Sequence, residues 1–130
     1  MTGYSRGVST FAAAVERAER AQLIADLKAA RSELVTRGRT GGEFVDQETG
    51  AVCALGAVGF ATVDDFDIRH ECGYGALAVT PRALRVWHTL RGFLPEGFID
   101  VDAFNDTGTT TDEDVLNLFD KALADLGGMA

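Results

Sequence analysis

The sequence is short of the residues from which small catalytic and metal centres are usually built. It has two cysteines, two histidines, two prolines and one tryptophan in 130 residues. Cys53 and Cys72 lie in dissimilar contexts, so a disulfide framework is excluded as an organising principle. No Cys-x-x-Cys pair occurs, and neither the Asp64 to Cys72 acids nor "DVDAFNDTG" follows the ligand order of an EF-hand, so no metal site is expected. Gly-x-Gly-x-x-Gly and Gly-Lys-Ser/Thr are absent too, and with them any sequence support for a nucleotide or other cofactor. No apolar run reaches the roughly 18 residues of a membrane span. The N-terminus carries arginines and acids where a signal peptide needs an apolar stretch, so the expected location is cytoplasmic.

What is present is an ordinary globular composition, 46% hydrophobic and 25% charged. The length suits one domain. The net charge of −8 is unevenly spread: residues 1–42 sum to +3, residues 43–94 to −3 and residues 95–130 to −8. An acidic C-terminal third repels phosphates, which argues against nucleic acid as a partner. Acidic surface of this kind also serves solubility. Ten arginines stand against two lysines, a codon signature of a GC-rich genome.

From about Ser9 to Arg37 there is neither Gly nor Pro, and the composition predicts a helix. Its apolar positions fall on two faces. Phe11, Val15 and Ala18 share one, whereas Leu23, Leu27, Ala30 and Leu34 share another more than about 100° away at helical spacing. Either the helix breaks near Arg20 to Gln22, or residues 1–21 form an arm that projects from a globular domain of residues 22–130. An arm of that kind would offer Phe11 and Val15 as contacts for a homodimer.

Glycines punctuate residues 38–50, which read as a loop with room for a short hairpin pairing Phe44-Val45 with Ala51-Val52. Residues 51–63 are apolar or small nearly all round, the pattern of an element buried on every side, and their poverty in β-branching favours helix over strand. Residues 64–79 read as loop. Thr80 and Pro81 then open a helix whose face carries Leu84, Trp87, Leu90 and Leu94. A turn-rich connection follows, with an extended piece expected at 98–101. Thr111 with Asp114 makes a capping-box start to a last helix that ends at Gly127-Gly128. The expected fold is all-α, a single domain of about four helices, with Leu27, Leu34, Cys53, Leu55, Trp87, Leu90, Val115, Phe119 and Leu123 in the core.

Cys53 raises the one question of chemistry. In the first turn of a helix starting near Ala51 its thiol would be acidified. A hydrolase or transferase reaction would need His88 or His70 as base, with Asp106 as an orienting group. The neighbours Ala51, Val52, Ala54 and Leu55 favour the other reading, a small buried hydrophobe.

The order of features, with "TGAVCALGAV" and then "FND" before "DVLNLFDKALA", resembles a family of uncharacterised proteins from GC-rich bacteria and their phages. The matching positions are Cys53, Leu55, Gly56, Ala57, Asn105 and Asp106, with Phe104 where tryptophan is frequent in similar proteins. The resemblance spans about Gln22 to Leu126. It implies a compact helical fold, a phage or prophage origin and no particular reaction. It also suggests that Asn105 and Asp106 form a structural latch on backbone groups at the start of the Cys53 helix, in preference to a catalytic role. The functional expectation is a non-enzymatic interaction or regulatory module acting on a protein yet to be identified, with the acidic C-terminal third and the N-terminal helix as contact surfaces.

Overall fold

A computed structural model describes residues 2–69, 71 and 73–128, with side chains from residue 10 onward. His70 and Cys72 lie outside the described residues. Seven helices are found among those described: α1 (Thr2–Arg37), α2 (Ala54–Thr62), α3 (Phe66–Arg69), α4 (Tyr74–Ala78), α5 (Pro81–Arg91), α6 (Val101–Asp106) and α7 (Asp112–Asp125). The fold is all-α as composition and periodicity predict. The short helices α3, α4 and α6 add to the four expected, in stretches read as loop or as extended chain.

α2 is the hub. It packs against α1, α3, α5 and α6, while α1 also meets α5 and α7. Seven of its nine residues are buried, including both glycines. A mid-helix glycine costs about 1 kcal/mol relative to alanine, and here close approach offsets that cost. A Cβ on Gly56 would lie 2.0 Å from the Phe44 carbonyl oxygen, and one on Gly59 would lie 2.2 Å from Cζ of Phe66. The small residues therefore let a loop strand and an aromatic ring lie directly on the helix backbone.

The helix begins three residues later than the apolar run. Residues 51–53 are used instead as a strap between two loop segments. Val52 makes a parallel bridge to Arg39 and an antiparallel bridge to Val45. Its N–H donates to Gly38 O and its carbonyl accepts from Thr40 N–H, both at 2.9 Å, while Asp46 N–H donates to Ala51 O at 2.8 Å. The expected Phe44-Val45 pairing thus survives as one isolated bridge and not as a hairpin of two strands. Asp46 closes the intervening turn by accepting the Glu48 and Thr49 amides.

α1 runs unbroken through Arg20 to Gln22. Leu23, Leu27, Ala30 and Leu34 are buried. Residues 10–22 are exposed apart from half-buried Ala13. The side facing α5 carries a buried Asp26 that accepts from Arg82 through both carboxylate oxygens, at 3.0 and 2.6 Å, and from Gln22 at 2.9 Å. Burial of that carboxylate is tolerable because it is paired and hydrogen-bonded. Arg31 holds Asp120 of α7 in a second two-pronged pair.

The helix starts follow local chemistry. Thr111 and Asp114 exchange side-chain and backbone hydrogen bonds in a capping box at α7. Thr80 precedes Pro81 at α5, but its hydroxyl donates backwards to Ala76 O at 2.9 Å, tying α4 to α5. Of the expected core residues, Trp87 alone is only partly buried.

Replacing Gly56 by Ala is expected to destabilise the protein by about 2–4 kcal/mol, because the added methyl must displace backbone. Gly75 has open space at its Cβ position, so Gly75→Ala is expected to be neutral or stabilising by up to about 1 kcal/mol. Parallel urea titrations of the two variants check the contrast.

Candidate functional site

The N-terminus of α2 is enclosed, so its amides need protein partners. Each is supplied from a different part of the chain. Cys53 is the N-cap and its N–H donates to Phe44 O at 3.2 Å. Ala54 N–H donates to Oδ1 of Asn105 at 3.1 Å. Gly56 N–H donates to the Cys53 sulfur at 3.3 Å. Leu55 and Ala57, the other motif positions of this segment, are buried in the core.

Asn105 is itself buried on α6, and its amide is fully engaged. Nδ2 donates to Thr40 O at 2.9 Å and to Asp106 Oδ1 at 2.8 Å. Asp106 thus orients the asparagine and does not itself reach α2. Arg39 closes the assembly from outside, donating to Asn105 O at 2.6 Å, to Thr110 O at 2.9 Å and to Asp112 at 2.7 Å. The structure therefore gathers Cys53, Asn105 and Asp106 at one point, from positions about fifty residues apart.

Beside this point lie two adjoining clefts. The smaller, about 220 Å³, is lined by Gly42, Glu43, Phe44, Cys53, Tyr74, Asp102 and Asp106. The larger, about 450 Å³, is bounded by Leu55, Val101 and Ala103 together with Tyr74, Trp87, Asp100 and Asp102. Tyr74 and Asp102 form the shared wall, with the tyrosine hydroxyl donating to Asp102 Oδ2. Tyr74 stacks on Trp87 with ring centroids 5.6 Å apart, and Phe44 and Tyr74 meet in a T-shaped contact with centroids 5.2 Å apart. Every charged residue lining either cleft is an acid. A third cleft between α6 and α7, about 440 Å³, sets Lys121 beside Asp114 and Asp120 and so has no single sign.

The electrostatics argue against a nucleophile here. Burial pushes the Cys53 thiol up to about 12, outweighing the acidifying amide of Gly56, and Asp102 and Asp106 push it the same way. Its hydrogen bond to Asp102, with burial, raises the Tyr74 hydroxyl to about 12 as well. Asp102 is raised above the ordinary carboxylate range by burial, and by Asp106 and Asp100, with the Tyr74 hydrogen bond opposing. His88 is exposed on α5 and lines neither cleft. Among the described residues no three His, Cys, Asp or Glu side chains gather as a metal site would require. What the arrangement offers chemically is two stacked rings beside uncompensated carboxylates, a surface that attracts cations.

The sequence reading missed Tyr74, Asp100 and Asp102 as cleft residues and placed Trp87 in the core. The acids of "DVDAFNDTG" fail the ligand order of a metal loop and otherwise fall in a turn-rich connection, whereas Asp102 is half-buried and helical. The one available signal was the density of acids around a single aromatic, Phe104.

Fold and site together define a class: a small helical protein in which a glycine-bearing hub helix is held at its N-terminus by a buried asparagine, with an acidic aromatic cleft alongside. The chain belongs to the family described as a family of unknown function, DUF6197, whose profile matches residues 18–125. No curated protein and no solved structure matches it. Most of the exposed part of α1 lies outside the matched span. Among the described residues no helix is long and apolar enough to cross a membrane.

Asn105→Ala leaves the Ala54 amide and the Thr40 carbonyl without partners, and is expected to cost about 1–3 kcal/mol in thermal or urea unfolding. In a Cys72→Ser background, Cys53 should resist a thiol reagent at neutral pH until the protein unfolds. Because the folded thiol sits near 12 and the unfolded one near 9, its contribution is fully present below about pH 9 and is lost as pH rises toward 12. The background protein should therefore lose more stability over that window than the Cys53→Ala variant.

Proposed function

We propose that the protein is a non-enzymatic interaction module that binds a basic segment of a partner protein at the Tyr74–Trp87 cleft. The observation that carries this reading is the lining: a stacked aromatic pair next to Asp100 and Asp102, with no cation among the lining residues to balance them. A guanidinium or ammonium group placed over such rings gains roughly 0.5–1 kcal/mol when exposed and about 2 when desolvated, before the carboxylates contribute. The elevated Asp102 carboxyl fits the same reading, because burial and repulsion from Asp106 and Asp100 would both be relieved by an incoming positive charge.

The alternative, a cysteine-dependent hydrolase or transferase using Cys53, has less to support it. The thiol is protonated, buried and occupied as a helix cap. The resemblance to proteins of GC-rich bacteria and phages makes a host protein in the cytoplasm the partner to seek.

Trp87 is the single tryptophan, so its fluorescence reports on the cleft directly. Titration with arginine-rich peptides is expected to change the emission saturably, and acidic peptides should leave it unchanged. Asp100→Asn together with Asp102→Asn should abolish the response, as should high salt. Lowering the pH through and somewhat above the ordinary carboxylate range should weaken binding, since protonation removes the charge being recognised. Equal responses to basic and acidic peptides, or none to either, would sink the proposal.

A further inference from the structure

We infer that the basic segment carries two cationic side chains at alternate positions, an arginine seated in the Tyr74–Trp87 cleft and a lysine seated in the smaller cleft beside it. This second subsite adjoins the larger cleft and rests on the reading proposed for it.

The two clefts share Tyr74 and Asp102 and differ in what else surrounds them. In the larger, Tyr74 and Trp87 lie within 25° of parallel and so present flat surfaces. Flat rings are what a planar guanidinium stacks on. In the smaller, Tyr74 meets Phe44 at 76°, so the rings make a corner and not a platform. At about 220 Å³ it also has half the volume of its neighbour, at about 450 Å³. A compact ammonium with three rotatable donors suits such a corner better than a rigid fork.

The smaller cleft has acceptors to spare. Asp102 gives Oδ2 to the Tyr74 hydroxyl and keeps Oδ1, while Asp106 gives Oδ1 to Asn105 and keeps Oδ2. Glu43, exposed on the glycine-rich loop, joins no ion pair among the described residues. Arg39 reaches the neighbouring Asn105 carbonyl but spends its remaining donors on Thr110 and Asp112. Three carboxylates thus line a cavity whose lining supplies no cation of its own.

Asp102 couples the two subsites. After burial, the groups that raise its carboxyl are Asp106 of the smaller cleft and Asp100 of the larger. One bound cation relieves the repulsion on one side only, whereas two relieve both.

The spacing of the cations follows from the shared wall. Alternate side chains of an extended segment project to the same side about 7 Å apart, enough to straddle one side chain, while adjacent ones point to opposite sides.

Trp87 emission in the full chain reads the binding of end-blocked peptides of one length in a Gly-Ser background. One carries Arg-Ser-Lys, tested in both orders and taken in the tighter; one has Gln for the lysine; one has Arg-Ser-Arg; and one of equal charge sets Arg and Lys about eight residues apart. The Arg-Ser-Lys peptide is expected to bind about tenfold tighter than the single-arginine peptide and than the widely spaced one. Glu43→Gln, at an exposed position, should bring the ratio between the Arg-Ser-Lys and single-arginine affinities down by about threefold. Equal affinity for the single-arginine or the widely spaced peptide, or a ratio unmoved by Glu43→Gln, would overturn the second subsite and leave the reading of the larger cleft standing. Arg-Ser-Arg binding as tightly as Arg-Ser-Lys would overturn the assignment of an ammonium to the corner. No response to any of these peptides would overturn the reading of the larger cleft, and the second subsite with it.

Discussion

The constraint on which the structure turns is that α2 is enclosed at its N-terminus as well as along its length. A helix start open to water satisfies its first amides from solvent; this one cannot. Phe44 O, the Cys53 sulfur and Asn105 Oδ1 take those amides instead, and each then has to be held in place. Phe44 is held by its contact with Gly56, Asn105 by Thr40 and Asp106, and the surrounding loop by the three bonds of Arg39. The small-residue motif, the asparagine and the Gly-rich loop are thus parts of one arrangement, although they are far apart in the chain.

That arrangement also accounts for the cleft. α6 must lie against the start of α2 for Asn105 to reach Ala54, and this brings Asp102, on the same short helix, to the wall formed by Tyr74 of α4. Trp87 of α5 completes the wall because α5 packs on α2 from the neighbouring side. The acids are therefore crowded by the geometry that secures the hub, with no cation among the residues lining the clefts beside them.

Much of the architecture was legible where local chemistry sets it. Pro81 after Thr80 and the Thr111–Asp114 pair mark helix starts that the structure has, and the stripes through Leu27 and Leu34 and through Val115, Phe119 and Leu123 are buried as their spacing requires. The short helices α3, α4 and α6 were not legible, since four to six residues are under two turns and show no period. The start of α2 was misplaced by three residues because Ala51 to Cys53 are as apolar as the helix. The pairing of Val52 with Val45 was legible from the glycine-punctuated loop, whereas its parallel bridge to Arg39 leaves no trace in side-chain pattern. The shift turned Cys53 from a first-turn residue into a cap. The cleft was hidden for a related reason: Tyr74, Trp87 and Asp102 come from three elements, two of them too short to be predicted, so nothing in the linear order joins them.

The fork of Arg39 bears on the order in which the chain folds. Its acceptors at Asn105, Thr110 and Asp112 lie 66 to 73 residues further on, and the Asn105 bond to Ala54 spans 51. Contacts of such separation carry a loop-closure cost and form slowly compared with local ones. A chain emerging from the ribosome can build α1 early but cannot seal the hub helix until α6 has been made. During synthesis the most apolar segment of the protein therefore spends its time with an unsealed end, and the C-terminal third acts on it much as a dedicated intramolecular chaperone would.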